Sequence, residues 1–269
     1  MKQKSWTNET NKWDDGLISG MNLAVYKAPS VGMQACWKGN FYGGKSDDSD
    51  TNNFGDGIDK SVGMNLWYPS DDSTFQQYVW YKGSNKWERS NPWQGKNVYA
   101  GVGCYSWEDR STTSYTMMVN KENMTEIWWK DTDTGLKSKD DHPINSWTNS
   151  TAGGIAGVHP FTSMGYTNYL YMQMADRSVK GFNIEYKAQD THTLDETIIS
   201  DPGAPVLGLA GTHLTCTSYA LTETVKNVTT EKWNSLYVFY QTKGDDITAF
   251  TRKFEGGPWS QGKLVIPQD

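Results

Sequence analysis

The amino-acid sequence predicts an all-β fold, and three observations carry the prediction. No stretch places apolar residues at i, i+3, i+4 and i+7, so helical periodicity is absent. Runs of five to eight residues rich in β-branched and aromatic side chains recur instead, punctuated by Gly, Asp, Asn and Pro. One unit, a strand, a hairpin and a second strand ending in aromatics, is written five times along the 269 residues.

The first copy is GMNLAVY at 20–26 leading to MQACW at 33–37, and the second is GMNLWY at 63–68 leading to FQQYVW at 75–80. The third pairs SYTMM at 114–118 with MTEIWW at 124–129, the fourth YLYM at 169–172 with VKGF at 179–182, and the fifth LYVFY at 236–240 with ITAF at 247–250. Upstream of these hairpins lie two near copies of a small-residue strand, GIAGVH at 154–159 and GLAGTH at 208–213, with YAGVG at 99–103 as a weaker third. Small side chains suit the innermost strand of a blade, where sheets converge on an axis. A fourth strand with a Trp-and-Gly ending is clearest at 257–264.

Four antiparallel strands per repeat predict a single β-propeller domain of five blades, at about 1–53, 54–96, 97–150, 151–203 and 204–269, with six blades as the alternative. In the first blade the inner strand has to come from residues 3–8. A β-sandwich is the competing all-β reading, weakened by the constant internal order of the copies.

Composition narrows the function classes. The net charge is −6 and only four arginines occur, Arg89, Arg110, Arg177 and Arg252, which argues against a nucleic-acid surface. No apolar run reaches the length of a membrane span, and the first ten residues contain no apolar signal region. Thirteen Trp and 15 Tyr compensate for an apolar content of 36%. Cys36, Cys104 and Cys216 make no metal-spaced pair and no disulfide framework, and read as buried, inert thiols. Sequons at Asn8, Asn123, Asn149 and Asn227 lean towards the secretory pathway.

The repeating unit resembles that of the fungal fucose-specific lectins, β-propellers whose blades carry a strand of type I-R-V-Y-Y-Q, then I-x-E-W-x-W, then a W-x-x-G ending. The likeness is best at 235–266 and 75–88. It implies a sugar site between blades, made by the Arg of one strand, the Glu of the next and an aromatic of a neighbouring blade. The physics is sound, because charged groups bind sugar hydroxyls while a ring covers the sugar's apolar side. Carried over, the Arg position reads Asn22, Asn65, Tyr115, Tyr169 and Tyr237, and the Glu position Gln34, Gln77, Glu126, Gly181 and Ala249. The arginine is missing from every copy.

The remaining candidates point two ways. Tyr115, Tyr169 and Tyr237, with Trp67 and Trp128, would line amphipathic pockets suited to a flat, mostly apolar substrate. His159 and His213, read as equivalent positions on inner strands, and Glu126, read as a carboxyl raised by neighbouring indoles, would be its catalytic groups. The resemblance extends to the lectin-like hetero-Diels–Alderases of fungal tropolone–sesquiterpene pathways, which join an o-quinone methide to a humulene-type terpene without metal or organic cofactor. That makes a pericyclase the first expectation and a carbohydrate-binding lectin of altered specificity the second. Expected partners are an apolar small molecule or a glycan, with a homodimer admitted and neither nucleic acid nor membrane. Asp47-Asp48-Ser49-Asp50 and Asp131-Thr132-Asp133 lack the spacing of a calcium loop, so no metal is expected.

Overall fold

The computed structural model describes residues 4–7, 12–21, 23, 26, 34–38, 63–81, 86–105, 113–131, 148–150, 152–201, 203–225, 228–244 and 246–263. Within them the chain is all-β apart from two short 3-10 turns at Leu17–Gly20 and Ala188–Asp190. A hairpin opens the chain, β1 (Lys4–Thr7) with β2 (Lys12–Asp15). Four four-stranded antiparallel sheets follow. Sheet 1 holds β3 (Gln34–Lys38), β4 (Gly63–Pro69), β5 (Phe75–Tyr81) and β6 (Lys86–Trp93). Sheet 2 holds β7 (Val102–Tyr105), β8 (Thr113–Val119), β9 (Thr125–Asp131) and β10 (Thr148–Asn149). Sheet 3 holds β11 (Met164–Tyr166), β12 (Leu170–Gln173), β13 (Val179–Glu185) and β14 (His192–Ile198). After a small hairpin, β15 (Ser200–Asp201) and β16 (Ala204–Pro205), sheet 4 holds β17 (Thr215–Val225), β18 (Val228–Lys243), β19 (Asp246–Lys253) and β20 (Gly256–Lys263).

Each sheet is a meander in chain order, and the first strands β3, β7, β11 and β17 lie next to one another in that order. This is the blade arrangement of a propeller, with first strands innermost. Apolar side chains fill the spaces between consecutive sheets. Met117, Ile127, Leu170, Met172 and Phe182 are buried between sheets 2 and 3, and Leu236, Val238, Phe250 and Trp259 pack with Tyr171 between sheets 3 and 4.

Three expectations change. Gln34–Lys38 is not the second strand of a first-blade hairpin; it pairs with Gly63–Pro69 as the first strand of sheet 1, so a blade boundary at residue 53 would divide that sheet. Residues 17–20 form a 3-10 turn where a strand was expected to begin at 20. The segments 154–159 and 208–213 are not inner strands, since the inner strands β11 and β17 follow them.

Hydrogen bonding explains the last change and sets the true equivalence of the repeats. The amides of Tyr26, Asn97, His159 and Leu209 donate to the carbonyls of Pro69, Val119, Gln173 and Gln241, each the last residue before a hairpin turn or its neighbour. Three of these residues open the same turn, closed by Ala100, Thr162 and Thr212 donating back to Asn97, His159 and Leu209. The Thr162 and Thr212 hydroxyls then accept the Gln173 and Gln241 amides at 2.8 and 2.9 Å. His159 therefore matches Leu209, and His213 matches Ser163. The resemblance of GIAGVH to GLAGTH is four residues out of step with the fold.

Candidate functional site

The sugar positions implied by the resemblance can be followed through the strand registers. In sheets 1, 2 and 4, Asn65, Tyr115 and Tyr237 stand opposite Val79, Trp129 and Thr251, and Tyr169 precedes β12 at the corresponding place. These four Arg positions are equivalent. The Glu positions are not all as expected. The residues facing Trp67, Met117, Tyr171 and Phe239 are Gln77, Ile127, Gly181 and Ala249. Glu126 faces Met118 instead, one residue away, and in a strand one residue means the opposite face of the sheet.

Between sheets 1 and 2 the position is closed by a hydrogen-bonded amide pair. The Gln77 side chain donates to Asn65 Oδ1 at 2.9 Å and accepts the Trp93 indole N–H at 3.0 Å. Trp93 packs edge-on against Trp67 at 6.5 Å and Trp128 at 5.3 Å, and Trp67 is wholly buried. Trp67 is thus core, while Trp128 is half-buried.

Between sheets 2 and 3 the position is filled by tyrosines. Tyr186, which follows β13, stacks on Tyr105 at 4.3 Å and meets Tyr115 at 4.6 Å, while Tyr166 lies 4.8 Å from Tyr105. Burial among these rings raises the Tyr186 phenol well above its ordinary range. Tyr115 is 5% exposed, so its ring is core and not a pocket wall.

Between sheets 3 and 4 an arginine enters from the other side. Arg252 of β19 places its guanidinium 5.1 Å from the Tyr169 ring and 4.8 Å from Trp259, with a bond to Thr197 Oγ1 at 3.3 Å. Tyr171 is wholly buried beside it; burial raises that phenol and the nearby Arg252 draws it partly back. The Tyr171 ring occupies the space over Gly181 where a glutamate side chain would begin.

Sheet 4 differs. Tyr237 and Phe239 stack at 6.1 Å with their planes 11° apart, and both are half-buried, as are Ala249 and Thr251 on the same face. At the Phe239 position the other three sheets carry Trp67, Met117 and Tyr171, each wholly buried.

The expected catalytic groups do not converge. Glu126 is ion-paired to the buried Lys96, accepts the Trp128 indole N–H at 2.9 Å and the Asn120 amide at 3.2 Å. Burial alone would raise its carboxyl, but the bonds from Lys96, Trp128 and Asn120 outweigh it and hold the group below its ordinary value. A carboxylate so held is not a general acid. Lys96 also lies 4.5 Å from the Trp128 ring centroid, making the network a latch between sheets 1 and 2. His159 and His213 sit on the turns entering sheets 3 and 4, and neither is hydrogen-bonded to Glu126. His159 Nδ1 accepts the Phe161 amide at 3.2 Å, and His213 Nδ1 meets Ser163 Oγ at 3.4 Å.

One cysteine expectation also changes. Cys104 is disulfide-bonded rather than an inert thiol; Cys216 is free, and burial pushes its thiol up to about 12. At the Asn123 sequon, Asn123 is half-buried and Thr125 is wholly buried with its hydroxyl on Met172 Sδ at 3.5 Å. Asn149 pairs with Trp128 in β10, while Asn8 and Asn227 lie outside the described residues. So do Asn22, Asp47-Asp48-Ser49-Asp50 and residues 132 and 133. Among the described residues no group of three or more His, Cys, Asp or Glu is placed to hold a metal ion.

Residues not singled out from sequence now carry the geometry, namely Phe239, Tyr105, Tyr186, Lys96 and the β19 arginine. Phe239 was accessible by strand alternation, being two residues from Tyr237 on the same face. The others reach their partners across sheets, which local pattern does not reveal.

No protein-family profile and no curated protein sequence matches the chain. Solved structures do. The SapL1 lectin, determined with α-methyl fucoside, superposes with a TM-score of 0.59 at 15% identity, covering 100% of this chain and 73% of that one. The fold resembles that of fungal fucose-binding lectin propellers. The lectin of Aleuria aurantia, a six-bladed propeller, gives 0.60 at 15% identity over 95% of this chain and 67% of its own. AofleA from Arthrobotrys oligospora gives 0.61 at 9% identity, over 99% and 66%. At these identities the likeness is one of fold, and it places the chain's four sheets among lectin-like propeller blades.

Proposed function

We propose that the chain is a non-catalytic carbohydrate-binding propeller, with a rim site on the outer face of sheet 4 in place of a site at every blade junction. The single observation behind this reading is the half-exposed Tyr237–Phe239 pair, whose Phe239 stands at a register position that is wholly buried in the other three sheets. Parallel rings of this kind suit the apolar face of a sugar, and the Tyr237 hydroxyl adds a neutral hydrogen-bonding group. Without Arg or Glu at the site, the affinity for a monosaccharide rests on stacking and neutral hydrogen bonds, so specificity differs from that of the fucose lectins. The disulfide at Cys104 fits an oxidising compartment, where a glycan binder meets its ligands.

The same aromatic pair would also accept a flat apolar molecule, the feature behind the hetero-Diels–Alderase expectation. Of the expected catalytic set His159, His213 and Glu126, the carboxylate is held by Lys96, Trp128 and Asn120 and bonds neither histidine, and binding is the reading with more behind it. Glycan-array binding competed by free sugar and removed by Tyr237→Ala is the expected result. Saturable binding of a humulene-type terpene in the absence of any glycan binding would instead favour the apolar-ligand reading.

A further inference from the structure

A second open cluster lies at the end of the inner strands, on the turns 97–101, 159–163 and 209–213 that lead into β7, β11 and β17. Aromatic rings pass from one turn to the next. Tyr26 shares a hydrogen bond with Tyr99, and Tyr99 stands edge-on to Phe161 at 5.7 Å. The next turn interrupts the series, because the residue matching Phe161 is Gly211. Gly211 has a φ of +72° and lies under Phe161, where a Cβ would come 2.9 Å from Phe161 Cβ and 3.8 Å from His159 Cε1. Phe161 is consequently 42% exposed.

Polar groups surround that ring. His159 Nδ1 is occupied by the Phe161 amide, which leaves the neutral imidazole's proton on Nε2 as a donor. Burial lowers the His159 pKa and keeps the ring neutral near pH 7. His213 is exposed, with Ser163 Oγ at 3.4 Å from its Nδ1. The three turns read NVYAG, HPFTS and LAGTH, without a Lys, Arg, Asp or Glu. One bare ring face flanked by neutral donors and acceptors matches a ligand with an apolar face and a border of hydroxyls.

We propose that the turns entering sheets 3 and 4 form an axial sugar site, in which one neutral pyranose lies on Phe161 with its hydroxyls bonded by His159, His213 and Ser163. The site shares the ligand class of the rim reading and none of its residues. It would make the chain bivalent through two unlike sites.

Histidine ring NMR separates the two. The whole chain is titrated with methyl α-L-fucoside, methyl α-D-mannoside, methyl β-D-galactoside and N-acetylglucosamine while the Hε1–Cε1 signals of its four histidines are followed. Saturable shifts are expected at His159 and His213, with His142 and His192 still, and they persist in Tyr237→Ala. Phe161→Ala, a surface change that leaves the fold intact, weakens the response about tenfold. Static His159 and His213 signals in a chain that binds sugar through Tyr237 overturn the axial site and leave the rim reading standing. Shifts indifferent to Phe161→Ala overturn it too, and silence from every probe at both places overturns both.

Discussion

Tyr171 fills the space over Gly181, its Cε1 only 2.5 Å from where a Cβ on residue 181 would sit. The two residues face each other across β12 and β13, so the absence of a side chain at one is what admits the ring of the other. Gly181→Ala forces that ring out of a packed interior and is expected to cost about 1–3 kcal/mol in denaturant unfolding. Gly181→Glu, which restores the lectin-type carboxylate in sequence, is expected to lose more stability and gain no fucose binding. A Gly181→Ala protein as stable as the parent would mean the ring has room to retreat.

The Lys96–Glu126 latch sets an acid limit. Breaking it from one side, by Glu126→Gln or Lys96→Met, leaves a buried partner uncompensated and is expected to cost about 3–5 kcal/mol. The double variant should lose less than the sum, since the two changes remove one shared interaction. Because the folded carboxyl sits below its ordinary 4.5, the unfolded chain takes up that proton first as pH falls. The latch's contribution is therefore complete above about pH 4.5 and is lost as pH drops through the lower folded value. Stability measured against pH should show this acid limb in the parent and a flatter one in Glu126→Gln.

Tyr115 and Tyr237 occupy matching register positions with opposite consequences. Tyr115→Ala empties a buried ring cluster and should cost about 3–5 kcal/mol, with ligand affinity unchanged wherever the protein remains folded. Tyr237→Ala should leave the unfolding midpoint nearly unmoved and remove glycan binding. Reversal of that pattern in paired unfolding and binding measurements would place the ligand between sheets 2 and 3.

Thiol chemistry tests the core independently. Cys216 is half-buried beside Gly165 with its thiol pushed up to about 12, so iodoacetamide at pH 8 should modify it far more slowly in the native chain than in denaturant. Cys104 should yield no thiol before reduction. Rapid labelling of the native chain at Cys216 would contradict the packing between sheets 3 and 4.

The hairpins were legible in sequence because each satisfies its own pattern. Residues 63–81, 113–131 and 236–253 contain alternating strands around short turns, and with the lectin strand pattern laid on the hairpins the positions Asn65, Tyr115, Tyr169 and Tyr237 fall at equivalent places in the fold. Glu126 was misread because chemistry was matched in place of register; a carboxylate one residue from the expected position belongs to the other face. The small-residue segments failed for a different reason. Gly157 and Gly211, both with φ of +72°, resemble each other as turn formers, whereas the fold aligns the turns through amide bonds to Gln173 and Gln241. The plugs at the blade junctions were not legible at all. Tyr186 meets Tyr105 and Tyr115, and Arg252 meets Tyr169, across sheet boundaries that no local window spans.

Those plugs give each junction its own lock. An indole pair, Trp93 on Trp128, joins sheets 1 and 2, four tyrosines join sheets 2 and 3, and an arginine between rings joins sheets 3 and 4. Each repeat is therefore fitted to its own neighbours. A chain with sheets 2 and 3 exchanged would retain every hairpin and lose every seam, so the order of the blades has itself become information that the sequence must carry.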